Sequence, residues 1–158
     1  MRSVLAVLVA LIAFAVLACG SSEKEHAKYL FDQSYQFEQV LSEPYTENWS
    51  PSPSILQQAY ETLQEIDQNL SQAEEPSKRT RALADRLQLL VYGLKVATRE
   101  ALNISPPSDS GLYYEAAVSV ISTQFVHGDV LGDIANLAME LGAVTTTTGL
   151  GGVTTTGH

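Results

Sequence analysis

Residues 53–70 read PSILQQAYETLQEIDQNL, and residues 83–101 read LADRLQLLVYGLKVATREA. In the first stretch Leu56, Ala59, Leu63, Ile66 and Leu70 recur at intervals of three and four, the spacing that lines up one face of an α-helix. Leu83, Leu87, Leu90, Leu94, Ala97 and Ala101 do the same in the second. Ser52 and Pro53 supply an N-cap and a first-turn proline ahead of the first stripe. A break at Ser71 to Pro76 separates the two, too short for anything but a reversal. The pattern therefore predicts an antiparallel helix hairpin, about 54–72 and 77–102, at the centre of a small all-α bundle. Each large apolar side chain buried along such a seam contributes about 1.5–3 kcal/mol before chain entropy is subtracted.

Charge predicts the same pairing. The first helix carries Glu61, Glu65 and Asp67 with Glu74 and Glu75 after it, whereas the second carries Lys78, Arg79, Arg81, Arg86, Lys95 and Arg99. With a turn near Glu75, Glu65 is expected to approach Arg86, and Asp67 to approach Arg81. Exposed pairs contribute only about 0–1 kcal/mol each, so they select orientation more than they stabilise.

Working outward, Ser22 with Glu25 has the form of a capping box opening a helix from about residue 23 to 43, stopped by Pro44. Tyr29, Phe31, Tyr35 and Phe37 also fall on alternate residues, a strand-like period that the Gln and Glu content overrides. Residues 44–53, with three prolines, read as a loop, and so do residues 103–111, with two prolines and three serines. Beyond them, Leu112 to Val126 is apolar on most faces and reads as a buried helix, although its β-branched residues keep a strand open. Gly128 ends it. Val130, Leu131, Ile134, Leu137, Ala138 and Leu141 mark a last amphipathic helix that Gly142 can close. The Thr/Gly repeats of residues 143–158 read as a low-complexity, disordered tail.

The beginning of the chain carries a different signal. Met1-Arg2-Ser3 precedes fifteen apolar or small residues from Val4 to Ala18, and the chain then turns polar at Ser21. That run is short of the roughly 20 residues a spanning helix needs and has the layout of a cleaved signal peptide, a positive start followed by an apolar stretch. Val16-Leu17-Ala18-Cys19-Gly20 resembles the lipobox of bacterial lipoproteins, and Cys19 is the sole cysteine.

The resemblance implies cleavage between Ala18 and Cys19, lipidation of Cys19 and anchorage to a membrane through that lipid. An ordinary secretory cleavage after Ala18 is the rival and would leave a free thiol. The resemblance further implies two or three acyl chains, which hold firmly where one alone binds marginally. Gly20 in place of Asp favours the outer membrane facing the periplasm in a host with two membranes, and the outer face of the cell membrane otherwise. The domain plan is then 1–18 signal peptide, 19–22 lipidated N-terminus and short tether, 23–142 helical domain and 143–158 tail. With the sole cysteine consumed, stability must come from packing alone.

Removing residues 1–18 takes away one charged side chain, Arg2, and leaves 140 residues at a formal net charge of −10. Such a chain is repelled by nucleic acid and by anionic headgroups, which argues against both as primary partners. No nucleophile elbow, phosphate loop or zinc-binding helix is present. Glu23 and His26 have the Glu-x-x-His spacing of di-iron bundles, but no second copy exists. Neither a cofactor nor a metal is expected, and no catalytic residue. Tyr29, Tyr35, Tyr45 and Trp49 belong to a group holding half of the twelve aromatic residues, and their apolar bodies and polar tips suit a partner surface. The expectation is a membrane-anchored, non-catalytic scaffold or accessory subunit contacting an envelope protein, with oligomerisation left open. The alternative is a binding or carrier module whose helices around Tyr113 to Phe125 open for a small apolar or glycan ligand.

Overall fold

The computed structural model describes residues 2–42, 52–73 and 77–145, with side chains from Ser22 onward. Five α-helices and no strand are found among them: α1 (Arg2–Ser42), α2 (Pro53–Gln72), α3 (Lys78–Ala101), α4 (Pro107–His127) and α5 (Val130–Glu140). The chain is an all-α bundle built on the expected hairpin. All five stripe positions of α2 are buried, as are Leu83, Leu87, Leu90, Leu94 and Ala101 of α3, with Ala84 and Val91 widening the seam. Ala97 is only half-buried because it faces α4 rather than α2.

Caps define this hairpin as the sequence suggests. Ser52 accepts from the Ile55 amide, with Pro53 in the first turn. At the start of α3, Ser77 and Thr80 satisfy each other's backbone amides in a reciprocal box. The expected cap at Ser22 is not one, since α1 runs through it as helix. Leucine and alanine dominate the preceding residues, proline is absent, and Gly20 alone costs only about 1 kcal/mol. Extending an existing helix across such a stretch is easier than nucleating a new one, so residues 19–22 are helical in the full chain.

The expected loop at 103–111 is shorter than the sequence suggests. Pro107 occupies the first helical turn, where its missing N–H costs nothing, so α4 starts there instead of near Leu112. Ser110 and Gly111 are consequently buried against the end of α3, and the Ser110 hydroxyl donates to the Ala101 carbonyl at 2.6 Å. This junction makes α3 and α4 a second antiparallel hairpin.

The ion pairs differ from the expected register. Asp67 takes Lys95, a pair less than one-fifth exposed, and also accepts from Gln88 Nε2 at 3.2 Å. Asp67 lies opposite Gln88 and Tyr92 rather than Arg81, and because side chains lean toward the N-terminus of their helix the Lys95 ammonium reaches back to it from about a turn further along α3. Arg86 turns away from α2 altogether. Its Nη1 donates to Asp133 Oδ2 and its Nη2 to the Gly128 carbonyl, both at 2.6 Å. Arg79 meets Glu140 at 2.7 Å, so α3 uses two arginines to hold α5.

The corner between α4 and α5 needs that clamp and a glycine. A Cβ on Gly128 would stand 2.2 Å from the Gln124 carbonyl oxygen, and Asp129 beside it has a left-handed φ of 57°. At the other end of α5, Gly142 has φ 64° and donates to the Met139 carbonyl, while Ala143 donates to Ala138. That is a Schellman ending, as Gly142 predicts from sequence. Packed mainly against α1, α5 closes the core, which includes Leu30, Phe37, Leu87, Tyr114, Phe125 and Ile134, all fully buried.

Candidate interaction surface

Of the four aromatic residues expected to form a partner surface, Tyr45 and Trp49 lie outside the described residues, as do the side chains of Ala18 and Cys19 and most of the Thr/Gly tail. Tyr35 is 54% exposed. Tyr29 is half-buried, its ring 5.7 Å from that of His26. Six residues apart on one helix, the two tyrosines are turned about 120° from each other. They do not share a surface. Phe31 and Phe37, from the same aromatic group, are core.

Most of the exposed large apolar side chains fall on α3 and α4. Among the described residues the exposed large apolar side chains include Leu89, Tyr92 and Val96 on α3 and Leu112, Tyr113, Val120 and Val126 on α4. Only Tyr35 on α1 and Met139 on α5 lie elsewhere. The expectation that residues 112–126, apolar on most faces, form a buried helix is therefore corrected in its burial, while the helix itself is found. This helix buries Tyr114, Val118 and Phe125, half-buries Ala117 and Ile121, and turns Leu112, Tyr113, Val120 and Val126 outward. α4 lies at the edge of the bundle, with neighbours on only one side of it to cover a helix that is apolar nearly all round.

Between the two helices runs an open apolar groove of about 360 Å³, lined by Gly93 and Ala97 from α3 and Tyr113, Ala116, Ala117, Val120 and Ile121 from α4. Small residues make its floor. A Cβ added to Gly93 would touch Ile121 Cδ1 at 3.5 Å, an ordinary contact, so the helices are already close there. The lack of bulk leaves a trough rather than a ridge.

A polar contact marks one end, where the Tyr113 hydroxyl donates to Glu100 Oε2 at 2.5 Å. Asp85 is exposed beside Leu89 and Tyr92 on the side of α3 that faces Asp67 of α2, outside the groove. Lys95 also lies 5.0 Å from the centre of the Tyr92 ring, fixing that ring there. The hydrogen bond to Glu100, then desolvation and the carboxylate's charge, raise the Tyr113 phenol above its ordinary value of 10.0. A raised value means the hydrogen bond helps the fold below the ordinary phenol range and is lost as pH rises through the raised value. A spectrophotometric titration should find one tyrosine ionising late, and Glu100→Gln should bring it back toward the others. If Glu100→Gln leaves the curve unchanged, the contact is absent in solution.

The signal for this surface was in the sequence. Leu89, Tyr92 and Val96 form a second stripe at intervals of three and four, on the side of α3 opposite Leu87, Leu90 and Leu94. Tyr113, Ala116 and Val120 repeat it on α4. Reading only the strongest stripe of each helix hides it.

No group of three or more His, Cys, Asp or Glu side chains gathers among the described residues to hold a metal. Among them, too, no helix is long and apolar enough to cross a membrane. Among the described residues the fold and surface define a five-helix bundle with an apolar groove along its edge. No family model, characterised protein or solved structure matches the chain.

Proposed function

We propose that this chain is a cell-envelope lipoprotein, anchored through Cys19, that acts without catalysis as a scaffold or accessory subunit by holding another envelope protein. The observation that carries the contact half of this reading is the concentration of exposed apolar side chains on α3 and α4. Scattered surface leucines and valines are normal, whereas an apolar trough rimmed by exposed side chains such as Tyr113 and Val120 is what partner interfaces use. The lipobox-like segment supports the anchor half. A lipid anchor and a contact surface together raise the local concentration of two proteins confined to one membrane, which lets a modest patch suffice.

Affinity purification of the full chain from gently solubilised membranes tests the contact. One envelope protein should co-purify in fixed proportion, and Val120→Glu should reduce its recovery at least tenfold while thermal unfolding is unchanged. Recovery that ignores Val120→Glu, or no partner at all, would sink the reading.

A second reading, a carrier for a small apolar or glycan ligand, is favoured by the volume of the groove, within the ~300–1,000 Å³ range of ligand sites. Its open shape argues for a protein occupant, because small-ligand sites bury most of their ligand. Native mass spectrometry of the purified domain separates the two: a retained small molecule points to the carrier.

A further inference from the structure

We infer that the furrow between α2 and α3 binds a neutral oligosaccharide of N-acetylated amino sugars, at a site separate from the α3–α4 groove and independent of the contact proposed there. Two clefts adjoin in this furrow. One, of about 460 Å³, has Leu70 and Ala73 from the end of α2 and Ala84 of α3 as an apolar floor, with Arg81, Asp85 and Gln88 along its wall. The next, of about 260 Å³, shares Asp85 and Gln88 with the first and adds Asp67, Leu89 and Tyr92. Arg81 and Tyr92 stand eleven residues apart on α3, about 16 Å at 1.5 Å per residue. The occupant that fills both clefts is therefore elongated.

The polar wall is open to a ligand. The Arg81 and Asp85 side chains are exposed and make no hydrogen bond or ion pair with any described residue. They stand one turn apart, but a base placed N-terminal to its acid is the weaker order for such a pair. The Gln88 Nε2 donates to Asp67 Oδ1 at 3.2 Å. An ionised carboxylate only accepts, so this bond fixes the amide's orientation and leaves its Oε1 as an acceptor. Asp67 also takes the Lys95 ammonium, and Lys95 lies 5.0 Å from the centre of the Tyr92 ring, which is 53% exposed. One network thus orients a planar acceptor and an aromatic ring in the furrow, beside a guanidinium and a carboxylate.

These groups define the chemistry of the occupant. It must donate to Asp85 and Gln88 and accept from Arg81, over an apolar floor. An acetamido group with a neighbouring hydroxyl does all three: its N–H and the hydroxyl donate, its carbonyl accepts, and its methyl meets Leu70 and Ala84. The next sugar along then lays its C–H face against Tyr92 and Leu89, whose exposed apolar surface it covers. An anionic polymer is opposed by Asp67, by Asp85 and by the chain's net charge of −9. A free amino acid answers Arg81 and Asp85 but is too short to reach Tyr92.

Calorimetric titration of the full chain, solubilised in a detergent without sugar headgroups, tests this with chitotetraose, the linear tetramer of N-acetylglucosamine. Saturable binding is expected, and Asp85→Ala and Tyr92→Ala should each weaken it about tenfold, the scale of one lost charged hydrogen bond or ring contact. Tyr92→Phe, which keeps the ring, should retain it. Cellotetraose, the same backbone with hydroxyls in place of the acetamido groups, should bind about tenfold more weakly. Both alanine variants lie at exposed positions, so their thermal unfolding should match the parent.

Absence of saturable binding would overturn the inference. So would equal affinity for cellotetraose, or an affinity indifferent to Asp85→Ala and Tyr92→Ala. Val120→Glu, which breaks the partner contact on the scaffold reading, should leave chitotetraose binding unchanged, so the two readings fail separately.

Discussion

Replacing Phe37 with alanine is expected to remove about 3–5 kcal/mol of stability, the range for emptying a buried phenylalanine site. Phe37 on α1 and Phe125 on α4 are both fully buried, and their rings meet edge to face with centroids 5.2 Å apart and planes at 83°. The pair ties the first helix to the edge helix that carries the groove. Alanine there leaves a void between elements far apart in sequence. Small domains hold about 5–15 kcal/mol in total, so the loss is a large share.

Urea unfolding followed by far-ultraviolet circular dichroism measures it directly. Phe37→Leu should recover much of the loss by refilling volume, and the double-mutant cycle with Phe125→Ala should show a coupling of about 0.5–1.5 kcal/mol from the ring contact itself. A cost below about 1 kcal/mol for Phe37→Ala would mean that α1 is not packed against α4 in solution.

Cys19→Ala should abolish lipid attachment entirely. On the proposed reading the mature chain starts at Cys19, carries acyl chains there and incorporates labelled palmitate when grown with it. Each buried methylene contributes about 0.8 kcal/mol, and two chains hold where one exchanges. No other cysteine exists to take over, so the variant should incorporate no label. Mass spectrometry of the native N-terminal peptide provides the independent check: a chain still beginning at Met1, or an unmodified Cys19, would refute the anchor whatever the groove does.

The central hairpin was legible because its apolar residues leave only one helical face to bury, and Leu56 to Leu70 found the partner stripe from Leu83 to Ala101. Ser52, Gly128 and Gly142 were legible for a different reason. Capping hydrogen bonds and steric freedom are local, so the residue type at one position carries the information. In the full chain the expected box at Ser22 gave way by the same logic: a cap motif states where a helix can begin, and helix already running through from upstream overrides it.

Tertiary structure decided the matters that depend on neighbours distant in sequence. Whether an apolar helix is buried depends on how many elements surround it, and α4 lies at an edge, so Val120 and Leu112 face outward while Val118 faces in. The partners of Asp67 and Arg86 were set by which side of α3 each neighbour packs on, a rotation about the helix axis that a residue count along a hairpin does not contain. The sequence alone determined the helical class, the central seam and the lipobox-like start, because each is written in spacing or in a contiguous motif. The groove came into being only when Gly93 and Ala97 of α3 and the weaker stripe Tyr113–Val120 of α4 were brought side by side, since a surface belongs to an arrangement of helices and to no single segment.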